Sequence, residues 1–198
     1  ASVIINTKSP LASVFDDVII GKQAILPEVD DIVYEDRLGT TGWIYRKKIL
    51  VGTRDLLIHH GVPVLKEDFE KKYTRKGRKV LYLAEAGKLM AMFVVSYSAD
   101  PQLKKALRKL EKSGMTILVR SADPFINDES IAELFELPDG YIRVMNSSNG
   151  RAFEKYSNLF AQKSPAYIVH NGSALGLVSA FSAAEDLQET RKLISVLI

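Results

Sequence analysis

The stretch "TILVRSADPFINDESIAELFEL", residues 116–137, decides how this chain is read. "TILVR" is a short apolar, β-rich run and "SADPF" a polar turn. "NDESIAELFEL" is an amphipathic helix with Asn127 or Asp128 as its N-cap. Strand, turn and helix in that order are the building unit of wound α/β sheets, and the turn is where such sheets place phosphate chemistry. Here the turn region offers Arg120, Ser121, Asp123 and Asp128. Working outward, "PQLKKALRKLEKSG" (101–114) puts Leu103, Ala106, Leu107 and Leu110 on one helical face, closed by Gly114. "GYIRVM" (140–145) reads as a strand, "GRAFEKYSNLFAQKS" (150–164) as a helix and "AYIVHNG" (166–172) as a strand. The run from Ala174 reads as one or two closing helices. Upstream, "KVLYLAEAGKLMAMFVVS" (79–96) is a hairpin turning at Glu85-Ala86-Gly87. Alternation over about 120 residues leads to a doubly wound, Rossmann-like parallel sheet, with Ser121, Asp123, Asn146 and Asn171 at one crevice.

The first part has a different texture. "SPLASVFDDVIIG" reads as a helix with Pro10 in its first turn. "DDIVYEDRLGTTGWIYRKKILVG" reads as short antiparallel strands punctuated by Gly39, Gly42 and Gly52, followed by a helix from about Arg54 to His60. The expectation is a small α+β domain over 1–76 and a parallel-sheet domain over 77–198.

Composition narrows the function classes. At 198 residues, 46% hydrophobic, with a mean hydropathy of −0.01, the chain has the make-up of a water-soluble globular protein. With no cysteine, disulfides and thiolate metal sites are excluded. No apolar run reaches the roughly 18 residues needed to span a bilayer. Net charge is +3, and the densest basic stretch, "EKKYTRKGRK" (70–79), is read as a solvated charge run, so no nucleic-acid partner is expected. "ASVIINTKSP" carries no basic leader. The start on Ala1 and the apolar finish Leu193–Ile198 suit a segment of a larger protein whose end heads for a bilayer.

The order and spacing of "SPLA", "LPEVDDIVYEDRLGTTGWIYRKKILVGTRDLL", "GRKVLYLAEAGKLMAMFVV" and "SADPFINDESIAELF" resemble the cytoplasmic part of a P-type cation-transporting ATPase, heavy-metal-transporting branch. The resemblance implies a haloacid-dehalogenase-like phosphorylation domain joined to a small nucleotide-binding domain. It also implies four phosphate-handling motifs, and each is degenerate. The Asp-Lys-Thr-Gly nucleophile is missing. Asn6 stands at its position if Val3–Ile5 form the first strand of the second domain; alternatively, those residues open the helix before "SPLA". Thr-Gly-Asp matches Ser121-Ala122-Asp123, where Asp123 has the plainer reading of a helix cap. The phosphate-neutralising lysine falls near Arg151, equally a surface residue. Gly-Asp-Gly-x-Asn-Asp, the source of the carboxylates that hold Mg²⁺, aligns with "VHNGSAL": Asn171 replaces the first aspartate and Ala174-Leu175 the Asn-Asp pair.

The resemblance treats the nucleotide site the same way. Ser9 stands for the adenine-stacking histidine, Arg37 for the first glycine of Gly-x-Gly-x-x-Gly, and Thr53 for the asparagine of Val-Gly-Asn. Gly39, Gly42 and Gly52 are left as weak ATP-site remnants, or simply as tight turns. His59 and His60 are adjacent and point apart, so they do not chelate as an i, i+4 pair does; His170 is a pocket or surface histidine. The resemblance therefore implies a cytosolic-face region of a P-type-ATPase-like membrane protein, catalytically inactive and regulatory or structural. Its partners would be membrane helices of the same polypeptide or a membrane partner. No cofactor and no metal are expected, and an anion near Ser121, Arg120 and Arg151 is. The alternative is an ATP-hydrolysing cation pump fragment using ATP and Mg²⁺, its acceptor aspartate outside this chain. A stand-alone phosphatase of the same superfamily suffers from the same missing aspartates.

Overall fold

A computed structural model describes residues 1–7, 9–18, 25–157 and 168–197. The described chain divides into two compact units. The first takes Ala1–Tyr97, Arg120–Asn127 and Val144–Gly150; the second takes Ser98–Val119, Asp128–Arg143 and the chain from Arg151.

The first unit is built on a five-stranded antiparallel meander in the order β1-β2-β3-β4-β5. Its strands are β1 (Asp30–Glu35), β2 (Gly39–Ile44), β3 (Lys47–Gly52), β4 (Lys79–Glu85) and β5 (Lys88–Val95). Side chains alternate across a strand, and both faces of this sheet are covered. Ile49, Val51, Leu81 and Val95 meet Val3 and Ile4 of α1 (Ser2–Asn6) and Leu11 and Phe15 of α2 (Leu11–Val18). The opposite set, Leu50, Val80, Tyr82 and Ala84, packs against Leu56 and Leu57 of α3 (Arg54–His59) and against Val62. Two-sided burial explains the imperfect alternation of "GWIYRKKILVG". α4 (Glu67–Lys71) and a 3₁₀ turn at Arg75–Gly77 lead back to β4. The β4–β5 hairpin turns on Ala86 and Gly87, both at positive φ, as the sequence suggests.

The second unit contains α5 (Pro101–Glu111), β6 (Ile117–Val119), α6 (Asp128–Phe135), β7 from Ile142, and α8 (Ala174–Leu197). α5 starts as its sequence dictates, with Pro101 in the first turn and the Asp100 carboxylate accepting from Leu103 N–H at 2.7 Å. Leu107, Leu110, Ile131, Ala132, Leu137, Tyr141, Ile142 and Val178 are buried here. β6 and β7 (Ile142–Val144) form a two-stranded parallel sheet, and α7 (Ser147–Ser157) follows β7. No described helix is long and apolar enough to cross a membrane.

Several expectations are corrected. The chain is mixed α/β, but the described residues hold no doubly wound parallel sheet: the parallel pair is short, and the main sheet is antiparallel. A strand buried on both faces reads as an apolar run in either kind of sheet, so "KVLYLAE" holds no clue to its direction. The sheet also crosses the boundary expected at 76/77, because Ile49–Gly52 of β3 pair with Tyr82–Glu85 of β4. Residues 1–6 do not open a strand of the second domain; Val3–Ile5 lie within α1, and Val3 and Ile4 are core residues of the first unit. Of the expected strand 166–172, residues 168–171 are not extended in a sheet and 166–167 lie outside the described residues. The expected helix 150–164 starts earlier, at Ser147, and its residues 158–164 lie outside the described residues.

Candidate functional site

The turn after β6 folds inward. Asp123 is 0% exposed. Its Oδ2 accepts from the Tyr97 hydroxyl at 2.7 Å and its Oδ1 from Phe125 N–H at 3.0 Å. Ser121 Oγ accepts from Asp123 N–H at 3.1 Å, and Ile126 N–H returns to the Asp123 carbonyl. Burial pushes the Asp123 carboxyl up, opposed by the Phe125 amide and the Tyr97 hydroxyl, while burial and the neighbouring carboxylate push the Tyr97 phenol far up. Asp123 therefore caps its own turn. It is not the cap of α6, which begins five positions later at Asp128.

The head of α7 is occupied in the same way. Asn146 Oδ1 accepts from Asn149 N–H at 2.7 Å, a helix N-cap. The Asp36 carboxylate takes Ser147 N–H at 2.8 Å and the Ser147 hydroxyl at 2.7 Å. A helix N-terminus favours an anion, and this chain supplies one of its own. Arg151 stands one turn further on and exposed, so it does not form the helix head as expected.

The three glycines are explained by packing. Gly39 and Gly52 are direct partners across β2 and β3. A Cβ on Gly39 would lie 2.4 Å from Val51 O, and one on Gly52 2.2 Å from Leu38 O. The hollow above Gly42 is filled by Val29 and Val3, whose methyls would stand 2.8 and 3.3 Å from an added Cβ. These are not bare turns: all three sit in strands.

The remaining resemblance positions are also occupied locally. Ser9 is buried and its Oγ accepts from Leu11 N–H at 3.2 Å. Thr53 caps α3 through Leu56 N–H at 3.4 Å. Arg37 takes φ 61° in the β1–β2 turn. Asn6 is exposed, its amide bonded to Ser2 O at 2.9 Å. Asn171, in the second unit, is exposed and accepts from Ser173 N–H at 3.1 Å and Ser173 Oγ at 2.6 Å; Ser173 in turn caps α8 through Gly176 N–H. His170 is exposed, accepting from Gly172 N–H at 3.1 Å. Among the described residues no cluster of three or more histidines and carboxylates could hold a metal ion.

Two polar networks escaped the sequence, because their members come from separate strands and helices. Arg54 Nε donates to Glu70 Oε2 at 2.7 Å, and the Tyr82 hydroxyl donates to the same oxygen at 2.8 Å. Burial and the Glu70 carboxylate push Tyr82 up to about 12. Arg54 and Glu70 border a cavity of about 350 Å³ lined also by Thr53, Thr74, Arg78, Lys79 and Phe125. The second network joins Glu35, Thr41, Lys48 and His60. Glu35 Oε1 accepts from Thr41 Oγ1 and faces His60 Nε2, both at 2.7 Å, while Lys48 Nζ lies 2.8 Å from His60 Nδ1. Burial would raise the Glu35 carboxyl, but the His60 and Thr41 hydrogen bonds prevail and hold it below its ordinary value.

No family model matches the chain, and no curated protein matches it. Among solved structures, the catalytic domain of the CPx-ATPase CopB-B, described for its conformational changes upon nucleotide binding, aligns at 20% identity with a TM-score of 0.38. The alignment covers 80% of this chain and 54% of that one, so the chain spans about half the length of that structure.

Proposed function

We propose that this chain is a catalytically silent, cytosolic-face region of a P-type-ATPase-like membrane protein. It does not transfer phosphate, and it has a regulatory or structural role toward membrane helices of its own polypeptide or of a membrane partner. The observation that carries the reading is Asp123. The one carboxylate kept in a phosphate-handling position is fully buried and bound to Tyr97 and Phe125 N–H, out of reach of a metal-bound phosphate. The composition of the other positions supports the same reading. Asn6 lies in α1 and not at the end of a sheet strand, so no acceptor aspartate has a counterpart there, and Ala174 and Leu175 cannot coordinate a hard cation. Above Gly42, Val3 and Val29 crowd the position where an added Cβ would stand.

The test is incubation with γ-labelled ATP and Mg²⁺, followed by acid quenching. No covalent label is expected. A hydroxylamine-labile label on this chain overturns the proposal. Calorimetry adds a second measurement: no heat of binding is expected at millimolar ATP, whereas micromolar affinity would show a working nucleotide site.

A further inference from the structure

The Glu35–His60–Lys48 array has a geometry that a simple ion pair does not need. An ammonium has donors only, so Lys48 Nζ donates to His60 Nδ1 across 2.8 Å, which leaves the ring proton on Nε2, 2.7 Å from Glu35 Oε1. Glu35 is in turn fixed by the Thr41 hydroxyl at 2.7 Å. An amine, a base aimed at it and a carboxylate orienting that base are the three parts of an activated nucleophile. The His60 and Glu35 side chains are 19% and 21% exposed, and Lys48 is half-buried, so the array is sheltered yet open to small reagents. Glu35, whose carboxyl lies below its ordinary value, is the carboxylate that orients the ring through Nε2. His59, whose ring meets that of His60 edge-on at 5.3 Å, is the other titratable group at this end of α3.

We propose that Lys48 is a nucleophilic amine, with His60 as its base and Glu35 as the positioning group, and that it is the preferred acylation site of this chain for small activated acyl donors such as acyl phosphates. In the step, the Lys48 ammonium passes one proton to His60 Nδ1. The freed nitrogen lone pair attacks the acyl carbon and a C–N bond forms. The C–O bond to phosphate breaks, its electron pair leaves on the phosphate oxygen, and the phosphate carries away the second amine proton. His60 returns its proton to water. The neighbouring residue is a natural reference. Lys47 Nζ is paired with the Glu85 carboxylate at 2.6 Å and has no histidine beside it. Lys48 is none of the phosphate-handling positions, so its reactivity does not depend on whether those positions are silent.

The experiment exposes the whole chain to limiting acetyl phosphate and follows acetylation of each lysine by peptide mass spectrometry. Lys48 is expected to react at least about tenfold faster than Lys47 and the exposed Lys88. His60→Gln should bring Lys48 to the Lys88 rate, and Glu35→Gln should slow it, with Glu35→Asp recovering part of the rate and Lys88 unchanged throughout. An unaltered Lys88 rate and circular dichroism spectrum show that each variant has folded, and the comparison within the native chain needs no variant. Lys48 reacting no faster than Lys88, or at the same rate in folded His60→Gln, overturns the proposal and leaves the array as a tie between α3 and the sheet.

Discussion

Gly39 and Gly52 face each other across β2 and β3 with no room for a side chain on either. A Cβ at Gly52 would meet Leu38 O at 2.2 Å, Leu56 Cδ2 at 2.5 Å and Gly39 Cα at 2.9 Å. Two of those contacts are backbone, so the strands themselves would have to part. Gly52→Ala is therefore expected to cost about 3 kcal/mol or more in urea unfolding, at the severe end for a point change. Gly61 is the control. It has φ +68° and nothing within 4 Å of an added Cβ, so Gly61→Ala pays only the left-handed backbone penalty, about 1 kcal/mol. Equal losses at the two sites would refute the steric explanation.

The same glycine pair marks how far local sequence signals reach. Glycines spaced through an alternating stretch locate the β1–β3 strands well, and Glu85-Ala86-Gly87 locates the hairpin. Both signals are local: turn chemistry lies in neighbouring residues. The partner of a strand is not local. Nothing in "KVLYLAE" says that Tyr82–Glu85 will line up with Ile49–Gly52 rather than beside a parallel neighbour, which is why the expected parallel-sheet domain extends over it. The site divides in the same way. Asp123 and Ser121 can be picked out as a turn, but their inward commitment depends on Tyr97, a residue 26 positions away from Asp123. Lys48, His60 and Glu35 come from a strand, a helix end and another strand, a combination that no short motif encodes.

Asp123 makes stability depend on pH with a definite sign. Its carboxyl is raised above the ordinary 3.8, so between that value and the folded one the native chain holds a proton that the unfolded chain has released. Stability contributed by this group is thus fully present below the ordinary value and lost as pH rises through the folded one. Asp123→Asn cannot ionise and keeps an acceptor for Phe125 N–H. Its stability relative to the natural chain should improve as pH rises from about 3.5 and then level off. Tyr97→Phe removes a donor to the same buried group and should cost about 2 kcal/mol at pH 7. Urea titrations at half-unit pH steps would measure both, and a flat difference for Asp123→Asn would contradict the assignment.

At the head of α7, Asp36 acts as a built-in anion, taking the Ser147 amide at 2.8 Å and hydroxyl at 2.7 Å. Asp36→Ala should loosen the first turn by about 1 kcal/mol, the usual worth of an N-terminal cap with its charge. Asp36→Asn keeps an acceptor and loses the charge, so about half the loss is expected. Hydrogen exchange of Asn149 and Gly150 amides reads this locally. Unchanged exchange in Asp36→Ala would mean that Asn146 alone, accepting from Asn149 N–H at 2.7 Å, caps the helix.

Glu70 Oε2 is shared by two donors, Arg54 Nε at 2.7 Å and the Tyr82 hydroxyl at 2.8 Å. Tyr82 is 0% exposed as a residue, and Arg54 and Glu70 side chains are 17% and 21% exposed, so water screens the ion pair only in part. Breaking a well-buried pair by removing one partner costs roughly 3–5 kcal/mol. With this degree of exposure, Glu70→Gln should cost about 2 kcal/mol. The phenol supplies an independent readout. Tyr82, pushed up to about 12, should stay protonated in an ultraviolet pH titration through the range where exposed tyrosines ionise. In Glu70→Gln the neighbouring negative charge is gone but burial remains, so the Tyr82 titration should move down toward, without reaching, the ordinary 10.0. Arg54→Met acts in the opposite direction on Tyr82. It takes away a positive charge that favours the phenolate, so the phenol should become harder to ionise while the fold loses stability. An unmoved Tyr82 titration in folded Glu70→Gln would show that burial alone, and not the Glu70 carboxylate, governs Tyr82.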